Sequence, residues 1–315
     1  MPTAIGTDLV TSISRRHIMP TIVDNIYGSN ALFYRMRASG RTIQGGTQIE
    51  VPIMYAQLGA GGAYSGYDVL NTAPSDTVKN AVWDWKQHYV PVTIDGRTLI
   101  RLDSPEAIAN GLRLQFSQAE MQLATNIGGG VYSDGSTNAK EITGLQLAVD
   151  SAGTYGGINR SSATYWQSYE DSSTTVLSLD ALQTAHGTAT SGGRHPTLIV
   201  SQQANYNRYW KLGIGSQIQD IGAGGRDEQL AAAGFHNITF NGVPWVVDSQ
   251  VHNSTTIYML NEDYLFLAST PRADFTLQDF QSPHDQDAMT ALILWAGELI
   301  CTNPSRQAKF TAIAA

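Results

Sequence analysis

The sequence predicts an α+β protein with an extended N-terminal third and a more compact α/β region behind it. Three observations carry that prediction. Two alternating, proline-bearing strand patterns, at 48–55 and 82–94, are separated by more than twenty irregular residues. A capped amphipathic pattern occupies 105–127, long for a globular helix. The C-terminal stretch ALILWAGELIC, residues 291–301, is apolar in both strand registers, as expected of a strand covered on both faces.

Residues 1–45 read as an arm with one helical patch. In VDNIYGSNALFYRMRASG, apolar Ile26, Leu32, Phe33 and Met36 lead into basic residues and a closing Gly40. In TQIEVPIMYA, Ile49, Val51, Ile53 and Tyr55 alternate with Gln48, Glu50, Pro52 and Met54. Pro52 has no N–H to give a central ladder, which places this strand at an edge or in a ribbon. A Gly-rich stretch from Gly59 to Gly66 and then YDVLNTAPSD follow. VWDWKQHYVPVTI reads as one returning strand with Trp83 and Trp85 on the same face, and Pro91 again marks an edge. Residues 46–96 therefore form a long protruding hairpin. A two-stranded ribbon is marginal alone and needs a surface to lie on.

The long helix starts at Ser104-Pro105-Glu106. Ser caps, Pro occupies the first turn where its missing N–H costs nothing, and Glu complements the helix dipole. Ile108, Leu112, Phe116, Ala119, Leu123 and Ile127 make one apolar stripe, and Gly128 to Gly130 are expected to stop the helix. VYSDGSTNAKEITGLQLAV reads as a turn and a short strand, and 150–175 as loop. From 176 to 288 the texture is α/β: a helix from Asp180, strand TLIVS at 197–201, and a helix through Tyr206 and Trp210. A hairpin about Asn241-Gly242 follows, then strands TIYML and YLFLA. Residues 289–315 supply a last long strand, expected to return to the long helix.

The chain has 315 residues and is 42% hydrophobic, enough for a sizeable core. Only 15% of residues are charged, against about 25% in a typical soluble domain. A surface this weakly charged suits a protein covered by neighbours. A net charge of −8 and a pI near 5.3 argue against a broad basic face wrapped on nucleic acid. The charge is uneven, because the first 41 residues carry Arg15, Arg16, Arg35, Arg37 and Arg41 against only Asp8 and Asp24. Such an arm can meet phosphate or a neighbour's acidic surface, or be merely solvated. One cysteine makes no intrachain disulfide, the N-terminus has no signal-peptide pattern, and no window reaches 18 apolar residues. The expectation is a soluble protein made in a reducing cytoplasm, with no membrane partner.

The residues offer little chemistry. Cys301 ends an apolar run and reads as core packing. The histidines stand singly in the sequence. His284 beside Asp285 and Asp287 is the only His–carboxylate cluster. A solvated turn after Pro283 accounts for it; a metal- or ligand-dependent enzyme, a hydrolase or a lectin, is the alternative. Neither a G-x-S-x-G elbow nor a phosphate-binding glycine loop is present. Tyr64, Tyr67, Trp83 and Trp85 could stack on bases or sugars. With Lys79 and Lys86 the only cations nearby, anchoring on another chain is the better reading. No catalytic residue, metal or cofactor is expected.

The order of arm, extended hairpin, long helix, α/β region and final long strand resembles the major capsid proteins of tailed bacteriophages (Caudoviricetes), with the Hong Kong 97-type fold. The resemblance spans nearly the whole chain. It is carried by NALFYRMRASGRT, GGTQIEVPIMYA with SGYDVL, YDVLNTAPSD leading into WDWKQHYVPVTI, VYSDG with GLQ, and QDAMTALILWAGELICTNPSRQ. It implies an N-terminal arm at 1–45 and an extended loop at 46–96 lying over an adjacent subunit. It further implies a peripheral domain at 97–175 with spine helix 105–127, an axial domain at 176–288, and a return strand to the peripheral domain at 289–315.

The implied function is self-assembly as hexamers and pentamers into an icosahedral shell enclosing double-stranded DNA. Tyr64, Tyr67, Trp83 and Trp85 would then contact other subunits, and Arg15, Arg16, Arg35, Arg37 and Arg41 would touch neighbours or packaged DNA without sequence preference. The implied location is the virion, assembled in the bacterial host cytoplasm. Two departures bear on partners. The chain begins without the long scaffolding segment of the archetype, so a separate scaffolding protein is expected, alongside a portal. Residues 42–78 hold no lysine, so covalent cross-linking of the archetype's kind is not expected, and decoration proteins could add strength. An encapsulin-like cellular compartment shares the fold and remains open, as does another virion component such as a tail or head-fibre protein.

Overall fold

The computed structural model describes residues 30–59, 61–97, 105–136, 138–173, 176–212, 238–282 and 287–314. In chain order these residues form α1 (Ala31–Ala38), β1 (Arg41–Thr42), β2 (Gln48–Met54), β3 (Val78–Asp84), β4 (Lys86–Asp95), α2 (Pro105–Val131) and α3 (Leu145–Ala148). There follow β5 (Thr154–Tyr155), β6 (Ile158–Asn159), β7 (Tyr169–Asp171), α4 (Leu179–Ala189), β8 (Leu198–Ser201) and α5 (Gln203–Lys211). The chain continues with β9 (Ile238–Phe240), β10 (Val243–Val247), β11 (Ile257–Leu260), β12 (Leu265–Ser269), β13 (Thr276–Leu277), β14 (Ala288–Cys301) and β15 (Ala308–Phe310).

The ribbon forms as its alternation requires. β2 and β3 pair antiparallel from Gln48↔Asp84 to Met54↔Val78, with Ile49 and Ile53 buried and Gln48, Glu50, Pro52 and Met54 exposed. The returning strand, expected as one piece, is two. β3 ends at Asp84, and β4 leaves the ribbon to pair antiparallel with β14 from Lys86↔Gly297 to Asp95↔Ala288. The cause lies in the side chains. Ala81 and Trp83 face inward at odd positions, whereas Val90, Val92 and Ile94 face inward at even ones. A phase change of one residue turns every following side chain to the other face, so the strand must break between them, and it does so at Trp85.

In the five-stranded sheet, β1, β12, β14 and β13 lie in that order, and β4 pairs with β14. α2 packs on β4 through the expected stripe, with Leu112, Phe116, Ala119, Leu123 and Ile127 buried and Phe116 edge-on to Phe280. Ser104 and the side chains of Glu106 and Ile108 lie outside the described residues. The helix does not stop at residue 127 but continues through Gly128, Gly129 and Gly130 to Val131. Close packing explains this. A Cβ on Gly128 would lie 2.8 Å from the Asn30 amide, and one on Gly130 would lie 3.3 Å from Ile142. The missing side chains let the last turn approach its neighbours, and that packing offsets about 1 kcal/mol of poor helix propensity per glycine.

Two segments read as strand or loop also gain structure. GLQLAV forms the single turn α3 rather than a strand, because Leu145 and Ala148 bury on one helical face. Residues 150–175 contain the β5–β6 hairpin, turned by Gly156 and Gly157 at φ 57° and 72°, and strand β7.

The six-stranded sheet has the order β7-β15-β11-β8-β10-β9. Its β9–β10 hairpin turns at Asn241 and Gly242 with φ 51° and 79°, the left-handed pair that a type I′ turn requires. α4 starts at Ser178, whose hydroxyl accepts the Ala181 N–H at 3.2 Å. A second cluster of buried side chains, including Leu182, Ala185, Tyr209, Trp245 and Phe310, fills the space beneath α4 and α5.

The chain crosses between the sheets more often than a linear partition implies. β11 belongs to the six-stranded sheet and β12 to the five-stranded one, with Asn261-Glu262-Asp263 crossing between them. After β14, the chain turns through Pro304–Arg306, and β15 inserts between β7 and β11. The C-terminal segment thus serves both sheets rather than returning only to the long helix. β14 is the expected buried strand: Trp295 to Cys301 are all buried, and the Cys301 thiol is pushed up to about 12 by burial.

Candidate assembly surface

The ribbon root and tip have opposite surroundings. At the root, Trp83 is 4% exposed and sits edge-on to Tyr155 at 5.6 Å, and the Val82 N–H donates to Gly156 O at 3.0 Å. Gly156 at positive φ has no Cβ, and one built there would lie 3.0 Å from the Trp83 ring. Tyr55 stacks on Tyr165 at 4.8 Å, and its hydroxyl donates to Asp76 O at 2.8 Å. The ribbon therefore lies first on its own chain. Trp83 is engaged there, and Trp85 is partly buried, its indole N–H donating to Gly46 O at 3.1 Å.

Beyond Tyr55 the described residues are exposed as far as Asp76. The Ser65 N–H donates to the Asp68 carboxylate at 2.7 Å and the Asp68 N–H to Ser65 O at 2.8 Å, forming a small turn. Around that turn Tyr64 is 70% exposed, Tyr67 is fully exposed, and Val69 and Leu70 are exposed too; nearer the strands, Met54 and Leu58 are also exposed. The sequence reading names the two tyrosines, which are exposed, and not the other four apolar side chains. Their signal was the coincidence of apolar residues with a segment, 42–78, that has no lysine or arginine and carries only Glu50, Asp68 and Asp76 as charges. These apolar side chains lie exposed on a segment that the rest of the described chain leaves uncovered.

The arginines separate into different roles. Arg15 and Arg16, and the side chain of Arg37, lie outside the described residues. Arg35 does not face outward. It is 5% exposed, and its Nε and Nη2 each donate to the Glu262 carboxylate at 2.7 Å. Thr197 Oγ1 donates to the same carboxylate at 2.9 Å. Arg41 lies over the Phe266 ring at 4.3 Å from its centroid. At the other end of α1, Tyr132 donates to Asp248 at 2.9 Å, and Asn30 Oδ1 accepts the Phe33 N–H at 3.1 Å. Burial raises the Asp248 carboxyl, against the hydrogen bonds it accepts from Gln250, Tyr132 and Leu32. Asp248 follows β10 and Glu262 follows β11, so the first described helix is tied at one point to a connection within the six-stranded sheet and at another to the connection that crosses between the sheets.

The arrangement presents no reactive constellation among the described residues. His284 and Asp285 lie outside them, and no described group of three His, Cys, Asp or Glu side chains could hold a metal ion. No described helix is long and apolar enough to cross a membrane. A groove of about 350 Å³ lies beside the ribbon root between Tyr55, Tyr165, Tyr264 and Asn303, and its walls carry no charged side chain.

No family model matches the chain, and no curated protein sequence matches it. Solved structures do. The capsid asymmetric unit of cyanophage A-1(L) matches with TM-score 0.72 at 18% identity, over 92% of this chain and 94% of that one. The capsid of a native GTA particle matches with TM-score 0.61 at 12% identity, over 92% and 91%. The SrpI encapsulin of Synechococcus elongatus PCC 7942 matches with TM-score 0.55 at 9% identity, over 89% and 88%. The fold is that of shell-forming subunits. It is the Hong Kong 97-type capsid fold, present here over nearly the whole chain.

Proposed function

We propose that this chain is the major capsid protein of a tailed bacteriophage, assembling as hexamers and pentamers into an icosahedral shell around double-stranded DNA. The observation that carries this reading is the protruding segment 55–77: apolar at Tyr64, Tyr67, Val69 and Leu70, without a cation, and rooted on a folded body of the capsid type. A heterologous contact, in which one surface of each copy meets a different surface of the next, closes into rings when the rotation permits. In this reading the five-stranded sheet with α2 is the peripheral domain, the six-stranded sheet with α4 and α5 the axial domain, and Arg15, Arg16 and Arg37 belong to the arm, which ends where Arg41 enters β1 of the five-stranded sheet. The role is structural rather than enzymatic. A separate scaffolding protein and a portal are its expected partners, with decoration proteins possible as added reinforcement, and the virion is its location.

An encapsulin-like compartment is the second reading, supported by the likeness to SrpI. The higher TM-score with the cyanophage capsid favours the phage reading. Shortening residues 59–76 to a tight turn tests the assembly role. The account expects a folded protomer that sediments as small species under conditions where the unaltered chain forms shells. Normal closed shells from the shortened chain would contradict it. Nuclease-protected DNA in particles from infected cells, against a protein cargo, separates the two readings.

A further inference from the structure

One buried group at the ribbon root is not explained by packing. Glu298 is 1% exposed on β14, at the end where β4 leaves the sheet. Its Oε1 accepts the Thr143 N–H at 2.8 Å and the Leu299 N–H at 3.0 Å. Its Oε2 is buried and has no hydrogen-bond partner among the described residues. An unsatisfied buried carboxylate oxygen is costly, so an orphaned one indicates a group that is either neutral or completed by a partner now elsewhere.

Lys86 lies opposite Gly297, the neighbour of Glu298, across the β4–β14 pair. Lys86 is the first residue of β4, just after the break at Trp85, and its Nζ donates to Ala139 O at 2.6 Å. That carbonyl and the Thr143 N–H belong to the same short segment, 139–143. The Lys86 charge also acts on Glu298 in the sense that favours ionisation, while the Asp84 charge opposes it. A lysine on a flexible stem that spends its charge on a neutral carbonyl can exchange it for a carboxylate.

We infer that the root of the extended loop carries a proton-controlled latch, in which Lys86 holds the Ala139 carbonyl while Glu298 is neutral and moves to Glu298 Oε2 when that carboxyl ionises. The proton leaves to solvent, and the buried carboxylate gains the partner it lacks. Burial pushes the Glu298 carboxyl up to about 8, so the exchange falls in mildly alkaline solution. The other groups around it do not compete. Burial raises the Tyr155 hydroxyl well above its usual value and the Cys301 thiol to about 12, leaving both neutral there. Burial lowers His88 on β4 despite the Glu141 charge, so it too is neutral. The latch sets how firmly the loop root is tied to 139–143. Its bearing on assembly rests on the proposed function, whereas the latch itself is a property of the protomer.

Hydrogen-exchange protection of the amides in 84–88 and 139–143, corrected for intrinsic rates, tests it at about pH 6.5 and about pH 9.5, on either side of the Glu298 value. The full chain should lose about tenfold protection at Glu141, whose N–H donates to Asn138 O in the turn that Lys86 holds, at the higher pH, while the Thr143 N–H, which donates to Glu298 Oε1, should lose none. Glu298→Gln should abolish the step. Lys86→Met should show low protection at both pH values with no step. Equal protection of the unaltered chain at both pH values would overturn the latch, as would the same step surviving in either variant. None of these outcomes bears on shell formation, which microscopy reads separately.

Discussion

Arg35 and Glu262 are joined by two 2.7 Å hydrogen bonds with both side chains almost wholly buried, 227 residues apart in sequence. The pair fastens α1 to the connection that crosses between the two sheets. An arginine in an N-terminal basic cluster would ordinarily be assigned to phosphate or solvent. Here the planar guanidinium fork meets a carboxylate in bidentate geometry, which a buried ion pair needs in order to be tolerated.

Removing one partner leaves the other as an uncompensated buried charge. Arg35→Ala should therefore destabilise the protomer by about 3–5 kcal/mol, whereas replacing both residues with apolar ones of similar volume should cost much less. Urea unfolding of the single and double variants checks this. An exposed arm arginine would give less than about 1 kcal/mol.

Glu298 makes stability depend on pH in a particular direction. Its carboxyl is raised from 4.5 to about 8 in the folded chain. Between those values the unfolded state releases the proton that the folded state keeps, so stability falls as pH rises from about 4.5 and levels off above about 8. Glu298→Gln should remove that decline and gain on the order of 3–5 kcal/mol relative to the unaltered chain at high pH, at about 1.4 kcal/mol per pH unit. Unfolding curves across this range read the slope directly.

Gly156→Val tests the ribbon root. The new side chain meets the Trp83 ring and must adopt φ 57°. About 1–3 kcal/mol of strain is expected. Hydrogen exchange should show it as lost protection in 78–84, with the six-stranded sheet unaffected.

Trp295→Ala should lower protomer stability by about 3–5 kcal/mol, because its ring lies 1% exposed on β14 beside His88 and leaves a large cavity. Thermal unfolding measures the loss. A shift no larger than that of a surface substitution would place Trp295 outside the core.

The elements legible in the sequence are those whose pattern depends only on neighbours along the chain. The alternation of Ile49, Val51 and Ile53, the stripe from Leu112 to Ile127 and the Asn241-Gly242 turn belong to this group. The long-range decisions were less legible. Gly128 and Gly130 stay helical because Asn30 and Ile142 press against them, which no local propensity records. The break at Trp85 was present as a change of phase between Trp83 and Val90 but was hidden by a continuous strand-like composition. β15 returns to the six-stranded sheet through backbone pairing that leaves no side-chain signature. At the candidate surface, the exposed Tyr64 and Tyr67 were legible from the charge-poor loop. The internal partners of Trp83 and Arg35 were not, since each meets a residue far along the chain.

The central claim is that many copies of this chain close into a shell. Negative-stain electron microscopy of the purified protein, expressed alone and then with its neighbouring genes, tests it most directly. The account predicts closed polyhedral shells, or tubes and rings of six. Dispersed monomers under both conditions would contradict it.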